Sequence, residues 1–309
     1  MFTLTFLGTG ASVPSLDRGL ASLLVEYGPH RFLVDCGEGT QRQILRSGAG
    51  FRRLDKVLLT HGHIDHILGL AGFAATSRLW GTAERLTIWA GAASLKLARQ
   101  LIHEITWPGA EAPPNIDFVE LRAGSVLPFG DLRVIPFPVR HRAPDCFGFM
   151  FELPPQRPLL PERLEALGVP AGPERRQLAH GTSVTLADGR RIEPDEVLGP
   201  ARGGLRLAIV ADTESTDDLV PYVRGADALV IEATFLDPDR ERARARSHIT
   251  AAEAAGLAHR AGIGRLFLTH LSSRYDPETI AAEARSVFPS THVASDLDRV
   301  TIGGSQPGR

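Results

Sequence analysis

Four side chains able to ligate a metal, His61, His63, Asp65 and His66, crowd into Leu58-Leu-Thr-His-Gly-His-Ile-Asp-His66 of this 309-residue chain. The run directly follows an apolar stretch, Lys56–Leu59, that reads as a β-strand. On a segment leaving a strand, positions 61 and 63 can converge on one ion. Asp65 and His66 point elsewhere and can serve a second. Imidazole with carboxylate is a borderline-soft donor set that suits zinc, with manganese, iron or cobalt also possible. Four ligands cannot complete two ions, so more must come from distant sequence.

Three residues answer that need. His141 follows Leu132–Arg140, Asp212 follows Leu207-Ala-Ile-Val-Ala211, and His270 follows Leu266-Phe-Leu-Thr269. Each stands at the C-terminal end of a strong strand pattern, the rim where α/β folds place their sites. Five histidines and two aspartates can hold two ions with one carboxylate bridging them. The remaining histidines, apart from His248, lack such a context.

The elements that must position these residues are short. Strands are expected at Phe2–Leu7, Leu23–Tyr27, Phe32–Val34, Lys56–Leu59, Leu86–Trp89, Leu132–Phe137, Leu207–Val210, Ala228–Ile231 and Arg265–Leu268. Helices are expected over Ala93–Thr106, Thr250–Ala261 and Pro277–Val287, the second with Thr250 as N-cap and Gly262 as stop, the third with Asp276 as N-cap. Strands and helices alternate, with hairpin-like pairs among them, which predicts α/β layers with mixed sheets. Residues 152–204 break the pattern. They contain eight prolines, and Val169-Pro-Ala-Gly-Pro173 excludes regular structure, so an inserted segment is expected there, with a short helix at Leu159–Gly168.

Composition sets outer bounds. With 43% hydrophobic and 23% charged residues, the chain is neither disordered nor a disulfide scaffold. Cys36 and Cys146 stand outside any CxxC motif, which fits a reducing cytoplasm. The N-terminal residues alternate like a strand, so no signal peptide is expected, and no run is long enough to span a membrane. A net charge of −2 and a pI of 6.6 weigh against nucleic-acid binding by bulk charge.

The histidine run matches the HxHxDH signature of the metallo-β-lactamase superfamily, and Asp35 matches that family's early aspartate. Within it the chain resembles tRNase Z (ribonuclease Z, the tRNA 3′-processing endonucleases) over nearly its whole length. The resemblance is carried by Phe6-Leu-Gly-Thr-Gly10, Asp35-Cys-Gly-Glu-Gly-Thr-Gln41, Glu232-Ala-Thr-Phe235 and Leu268-Thr-His-Leu-Ser-Ser-Arg-Tyr275.

That resemblance implies one αββα domain over 1–309 with two zinc ions in the cleft between the sheet edges. His61, His63 and His141 would hold one zinc, Asp65, His66 and His270 the other, and Asp212 would bridge. Asp65 would also act as proton acceptor. Glu232 would orient His248, the proton donor to the leaving oxygen. The histidine that usually precedes this glutamate is replaced by Ile231, which bears on a supporting contact and not on the acid itself. Residues 152–204 would be the arm that grips tRNA, with Gly172, Pro173, Arg175 and Arg176 at its tip. Arg18 would be what remains of a loop that reads the RNA 3′ end. The expected product is a tRNA with a free 3′-hydroxyl, the expected assembly a cytoplasmic homodimer, and neither DNA nor membrane is an expected partner. Two alternatives stay open: a hydrolase of a small phosphodiester, thioester or lactone on the same fold, and a non-catalytic RNA-binding protein.

Overall fold

The strand segments are apolar on both alternating faces, a pattern that demands cover on both sides. In Phe2–Gly8, for example, Phe2 and Phe6 are buried on one face and Leu7 on the other. A computed structural model describes residues 1–82, 84–107, 115–201 and 203–303 and shows how that cover is supplied. Two seven-stranded sheets stack face to face. The first runs in the order Arg299–Ile302, Phe2–Gly8, Ser22–Tyr27, His30–Val34, Lys56–Leu58, Leu86–Ala90, Ile116–Glu120. Its pairs are antiparallel up to His30–Val34 and parallel beyond. The second runs Thr291–Val293, Arg265–Thr269, Ala228–Glu232, Leu205–Ile209, Phe147–Leu153, Leu132–Pro138, Leu127–Phe129. Its first three pairs are parallel, and Leu132–Pro138 is antiparallel to both neighbours.

Aromatic side chains fill the space between the sheets. Phe6 meets Phe267 with ring centroids 6.0 Å apart, and Phe32 meets Phe151 at 5.3 Å. On the outer face of the first sheet, Leu24, Leu33, Val57 and Ile88 pack with Ile44 and Phe73 from the helices Thr40–Arg46 and Leu70–Leu79. On the second, Leu229, Ile231, Leu266 and Leu268 pack with Leu257 and Ile280 from Ala251–Ala261 and Pro277–Val287. The layering is αββα, in the α/β class.

The helix ends follow local chemistry. Thr250 and Glu253 form a reciprocal capping box, and Gly262 ends that helix at φ 63°, in the left-handed region open to glycine. Asp276 accepts from the Glu278 amide at the start of Pro277–Val287. The helix expected over Ala93–Thr106 is α-helical only through Ala92–Arg99 and continues as π-helical turns over Gln100–Thr106.

Residues Leu153–Leu205 separate as a second compact unit. The short helix expected within Leu159–Gly168 is present as Pro161–Ala166. The unit holds the helices Pro161–Ala166, Pro173–Ala179 and Pro194–Val197 and the ribbon Val184–Thr185 with Arg191–Ile192. Leu164, Val169, Leu178, Val184, Ile192 and Val197 make its own apolar core. The prolines that looked like breakers stand at the first turns of these helices, where a missing N–H costs nothing. The segment leaves from Phe147–Leu153 and returns in Leu205–Ile209, which are adjacent strands.

Candidate metal centre and catalytic pair

The C-terminal ends of the strands deliver the site. Leu58 leads to His61, Val34 to Asp35, Ile209 to Asp212 and Thr269 to His270. Asp35 and His270 adopt φ of 58° and 53°, costly for residues with a Cβ. These left-handed turns break the strand alternation and swing both side chains over the sheet edge. Asp65 and His66 ride on the short helix Ile64–Ile67. Gly37 lets that helix close in, because a Cβ there would overlap the Asp65 carbonyl.

The seven ligand-type residues converge in two groups. His61, His63, His141 and Asp212 form one, and Asp65, His66 and His270 form the other. His63 Nδ1 lies 3.2 Å from His141 Nε2, and His270 Nε2 lies 3.3 Å from Asp65 Oδ2. The two oxygens of Asp212 divide between the groups. Oδ2 is 3.9 Å from His61 Nε2 and 3.8 Å from His141 Nε2; Oδ1 is 3.5 Å from His66 Nε2 and 3.3 Å from His270 Nε2. Donors about 2.0–2.1 Å from one tetrahedral ion sit about 3.3 Å apart, close to these spacings.

A metal fits this set on independent grounds. The buried atoms His61 Nε2, His66 Nε2 and Asp212 Oδ1 have no hydrogen-bond partner among the described residues. Each such atom costs about 1–3 kcal/mol if left unsatisfied. Burial holds His61, His63 and His141 below the usual imidazole range, so they are neutral, the form that ligates. Burial opposes charge on His66 as well, but Asp212 and Asp35 outweigh it and raise its pKa. The same carboxylates favour a metal cation in the proton's place.

The backs of the ligands are held just as firmly. Asp35 accepts from His66 Nδ1 at 2.8 Å and from the Thr60 amide and hydroxyl at 2.8 and 2.7 Å. Having donated to Asp35, the Thr60 hydroxyl is left to accept from His61 Nδ1 at 3.0 Å. Glu232, Thr234 and His270 repeat the device: Thr234 donates to Glu232 at 2.7 Å and lies 3.0 Å from His270 Nδ1. His141 Nδ1 donates to the Ser247 carbonyl at 2.8 Å. With Nδ1 engaged in this way, Nε2 is the inward nitrogen of all four rings. The Ser12 amide donates to Asp65 Oδ2 at 3.0 Å. Burial alone would raise the Asp65 carboxyl, but the His270 hydrogen bond and the charge of His66 hold it far below the usual carboxylate range.

Beside the two groups stands a buried pair. His248 Nδ1 donates to Glu232 Oε1 at 2.9 Å. Burial works against charge on His248, yet Glu232 prevails and pushes it up to about 9. Glu232 also accepts from the Thr213 amide at 2.8 Å. The Ile231 side chain packs in the apolar core on the opposite face of its strand from Glu232, with Leu229 and Leu268.

A cleft of about 520 Å³ opens over these groups. Arg142, Arg246 and Arg274 stand on its rim, exposed. Sequence reasoning assigned them no part, nor one to Thr60, Thr234 or Ser12. Thr234 and Arg274 stand inside two of the blocks that carry the family resemblance, and Arg142, Thr60 and Arg246 stand beside or close to His141, His61 and His248. Of the residues expected to meet RNA, Arg18 donates to the Ala294 carbonyl at 2.6 Å and to Thr9 Oγ1, bracing the N-terminal loop. Arg175 donates to the carbonyls of Val169 and Pro170. Arg176 is exposed, and Gly172 and Pro173 open the second helix of the inserted unit.

Fold and site together define a metal-dependent hydrolase of the metallo-β-lactamase type. A family model described as a beta-lactamase superfamily domain matches residues 30–198. The chain is 51% identical over 302 residues to a ribonuclease Z of Bradyrhizobium diazoefficiens, covering 98% of this chain and 100% of that protein. It belongs to the ribonuclease Z family. Among solved structures, the metallo-beta-lactamase fold protein YhfI of Bacillus subtilis aligns with a TM-score of 0.70 at 19% identity, over 97% of this chain and 98% of that one. Human tRNase Z, short form, aligns with a TM-score of 0.65 at 23% identity, over 97% and 99%. These two likenesses concern the fold.

Proposed function

We propose that the chain is an endoribonuclease that removes 3′ trailers from precursor tRNA by phosphodiester hydrolysis, leaving a 3′-hydroxyl on the tRNA. The observation that carries this reading is the Glu232–His248 pair beside the double ligand group, in a chain of the ribonuclease Z family. Hydrolysis at a ribose 3′-oxygen needs a proton donor that a thiolate leaving group does not, and His248 is placed to be one.

His61, His63 and His141 would hold one divalent ion, Asp65, His66 and His270 a second, with Asp212 between them; zinc suits the donors, and manganese, iron or cobalt can replace it. The bound metal supplies Lewis acidity that activates water and neutralises phosphate charge. Asp65, fixed by Ser12 and His270, accepts a proton from the attacking water. The phosphorus–oxygen bond to the ribose 3′-oxygen breaks, and His248 Nε2 gives that oxygen its proton. Glu232 keeps Nδ1 protonated, so Nε2 is the nitrogen that donates. The trailer departs with a 5′-phosphate.

The direct test uses a precursor tRNA with a 3′ trailer. Protein stripped of metal is inactive, and added zinc or manganese restores cleavage. A metal-loaded protein that hydrolyses bis(p-nitrophenyl) phosphate and leaves the precursor intact overturns the reading in favour of a small-phosphodiester hydrolase.

We assign tRNA gripping to the inserted unit, with exposed Arg176 as one cation that would contact phosphate. Removing residues 154–200 joins two adjacent strands and removes a separate core. The deletion is expected to weaken tRNA binding roughly a hundredfold, as the loss of a second attachment does, while small-phosphodiester hydrolysis persists. Loss of both activities would make the unit part of the fold.

A cytoplasmic homodimer completes the reading. Cys36 and Cys146 are buried free thiols, and Ile64, Leu68, Leu97 and Ile105 line an exposed apolar groove suited to a second copy. A monomer in sedimentation at working concentration would remove the dimer from it.

A further inference from the structure

Some arginines close in sequence to the cleft residues are neutralised. Arg140 pairs with Asp218 at 2.8 Å, Arg240 with Asp237, and Arg242 with Asp239 at 3.4 Å. The three arginines that line the cleft, Arg142, Arg246 and Arg274, have no carboxylate partner within 4.0 Å among the described residues. Arg142 and Arg246 are also neighbours. Arg142 Nη2 donates to the Ala245 carbonyl at 3.0 Å, and His141 Nδ1 donates to the Ser247 carbonyl at 2.8 Å. Two hydrogen bonds therefore clamp residues 141–142 onto 245–247 and bring two like charges to one flank of the cleft. Both residues line the cleft together with His141 and His248. Like charges held together repel, so the arrangement gains by taking up an anion. Guanidiniums match phosphate oxygens through forked N–H groups.

We propose that Arg142 and Arg246 form a phosphate subsite on the His141–His248 flank of the cleft, which holds a backbone phosphate of bound RNA next to the scissile one. The proposal rests on the ribonuclease reading and extends it. The seven ligands and His248 serve one phosphodiester of any kind. A subsite for a second phosphate makes a polynucleotide the preferred substrate. It also answers the charge balance of −2: RNA is met by a few unpaired arginines, not by a basic average.

The test is the double variant Arg142→Gln, Arg246→Gln in the full-length, metal-loaded protein. Its kcat/KM for precursor tRNA is expected to fall at least about tenfold more than its kcat/KM for bis(p-nitrophenyl) phosphate, the worth of a lost charge-assisted contact. Binding of a short single-stranded RNA, followed by fluorescence anisotropy across a salt series, is expected to lose about 0.7 from the slope of log K against log salt, the signature of one phosphate contact removed. Equal losses on both substrates, or an unchanged salt slope, overturn the subsite. The binding arm reads the subsite whether or not the precursor is cut. Wild-type protein that fails on the precursor instead overturns the ribonuclease reading.

Discussion

Replacing Asp65 with alanine is expected to abolish precursor cleavage while RNA binding survives. Its carboxylate stands at the junction of three functions. It faces His270 Nε2 at 3.3 Å and His66 Nε2 at 3.7 Å, so it shares a ligand group with both. It accepts from the Ser12 amide at 3.0 Å, which ties the N-terminal loop to the site. Its low pKa keeps it ionised. Alanine removes the proton acceptor and a negative charge among crowded imidazoles. Loss of a positioned acid or base costs about 10²–10⁴-fold in rate, and loss of a ligand adds to it. The arginines assigned to RNA binding lie outside this contact, so binding is expected to change little. The measurement pairs single-turnover cleavage with metal analysis and with binding of uncleaved precursor. An Asp65→Ala protein that carries its full metal content and still cleaves would remove Asp65 from the proton transfer.

The parts of this molecule legible in its sequence share one physical property: their chemistry is unusual for their surroundings. A strand covered on both faces reads as an apolar run, which is why Ala228–Glu232 and Arg265–Thr269 were visible within a residue of their ends. Edge strands such as Ile116–Glu120 and Arg299–Ile302 are half-exposed and mixed in composition, so they left no such signal. Phe147–Leu153 was hidden by Gly148, which is glycine because the Phe137 ring packs where a Cβ would stand. The metal-type residues were visible because histidine and aspartate after a strand are rare. The sequence did not, by residue chemistry alone, divide the ligands with Asp212 between the groups; the two oxygens of Asp212 facing opposite groups do so in space. Thr60 and Thr234 stayed silent because threonine is common and their task exists only once Asp35 meets His61 and Glu232 meets His270. The rim arginines stayed silent for a related reason. An arginine matters there because it lacks a partner, and partners are assigned by the fold.

His248→Ala is expected to slow precursor cleavage by roughly 10²–10⁴-fold, the range for a positioned general acid. The size of the loss depends on the leaving group, and that dependence separates a proton donor from a structural residue. A ribose 3′-oxygen leaves poorly as an anion and needs the proton. p-Nitrophenolate is a stable anion and does not, so hydrolysis of bis(p-nitrophenyl) phosphate is expected to fall far less. A structural collapse would depress both equally. Glu232→Gln tests the support behind the acid. Glu232, with smaller help from Asp212 and Asp65, opposes burial strongly enough to push His248 up to about 9. With the carboxylate gone, burial favours the neutral ring and the pKa falls. A general acid works in its protonated form, so activity survives below its pKa and is lost as pH rises through it. The alkaline limb of the pH–rate profile for the precursor therefore moves to lower pH in Glu232→Gln. The glutamine amide still accepts from His248 Nδ1, so orientation is largely kept and the shift reads charge. A variant whose alkaline limb stays in place would show that the titration belongs to another group, and His248 would lose its assignment as the acid.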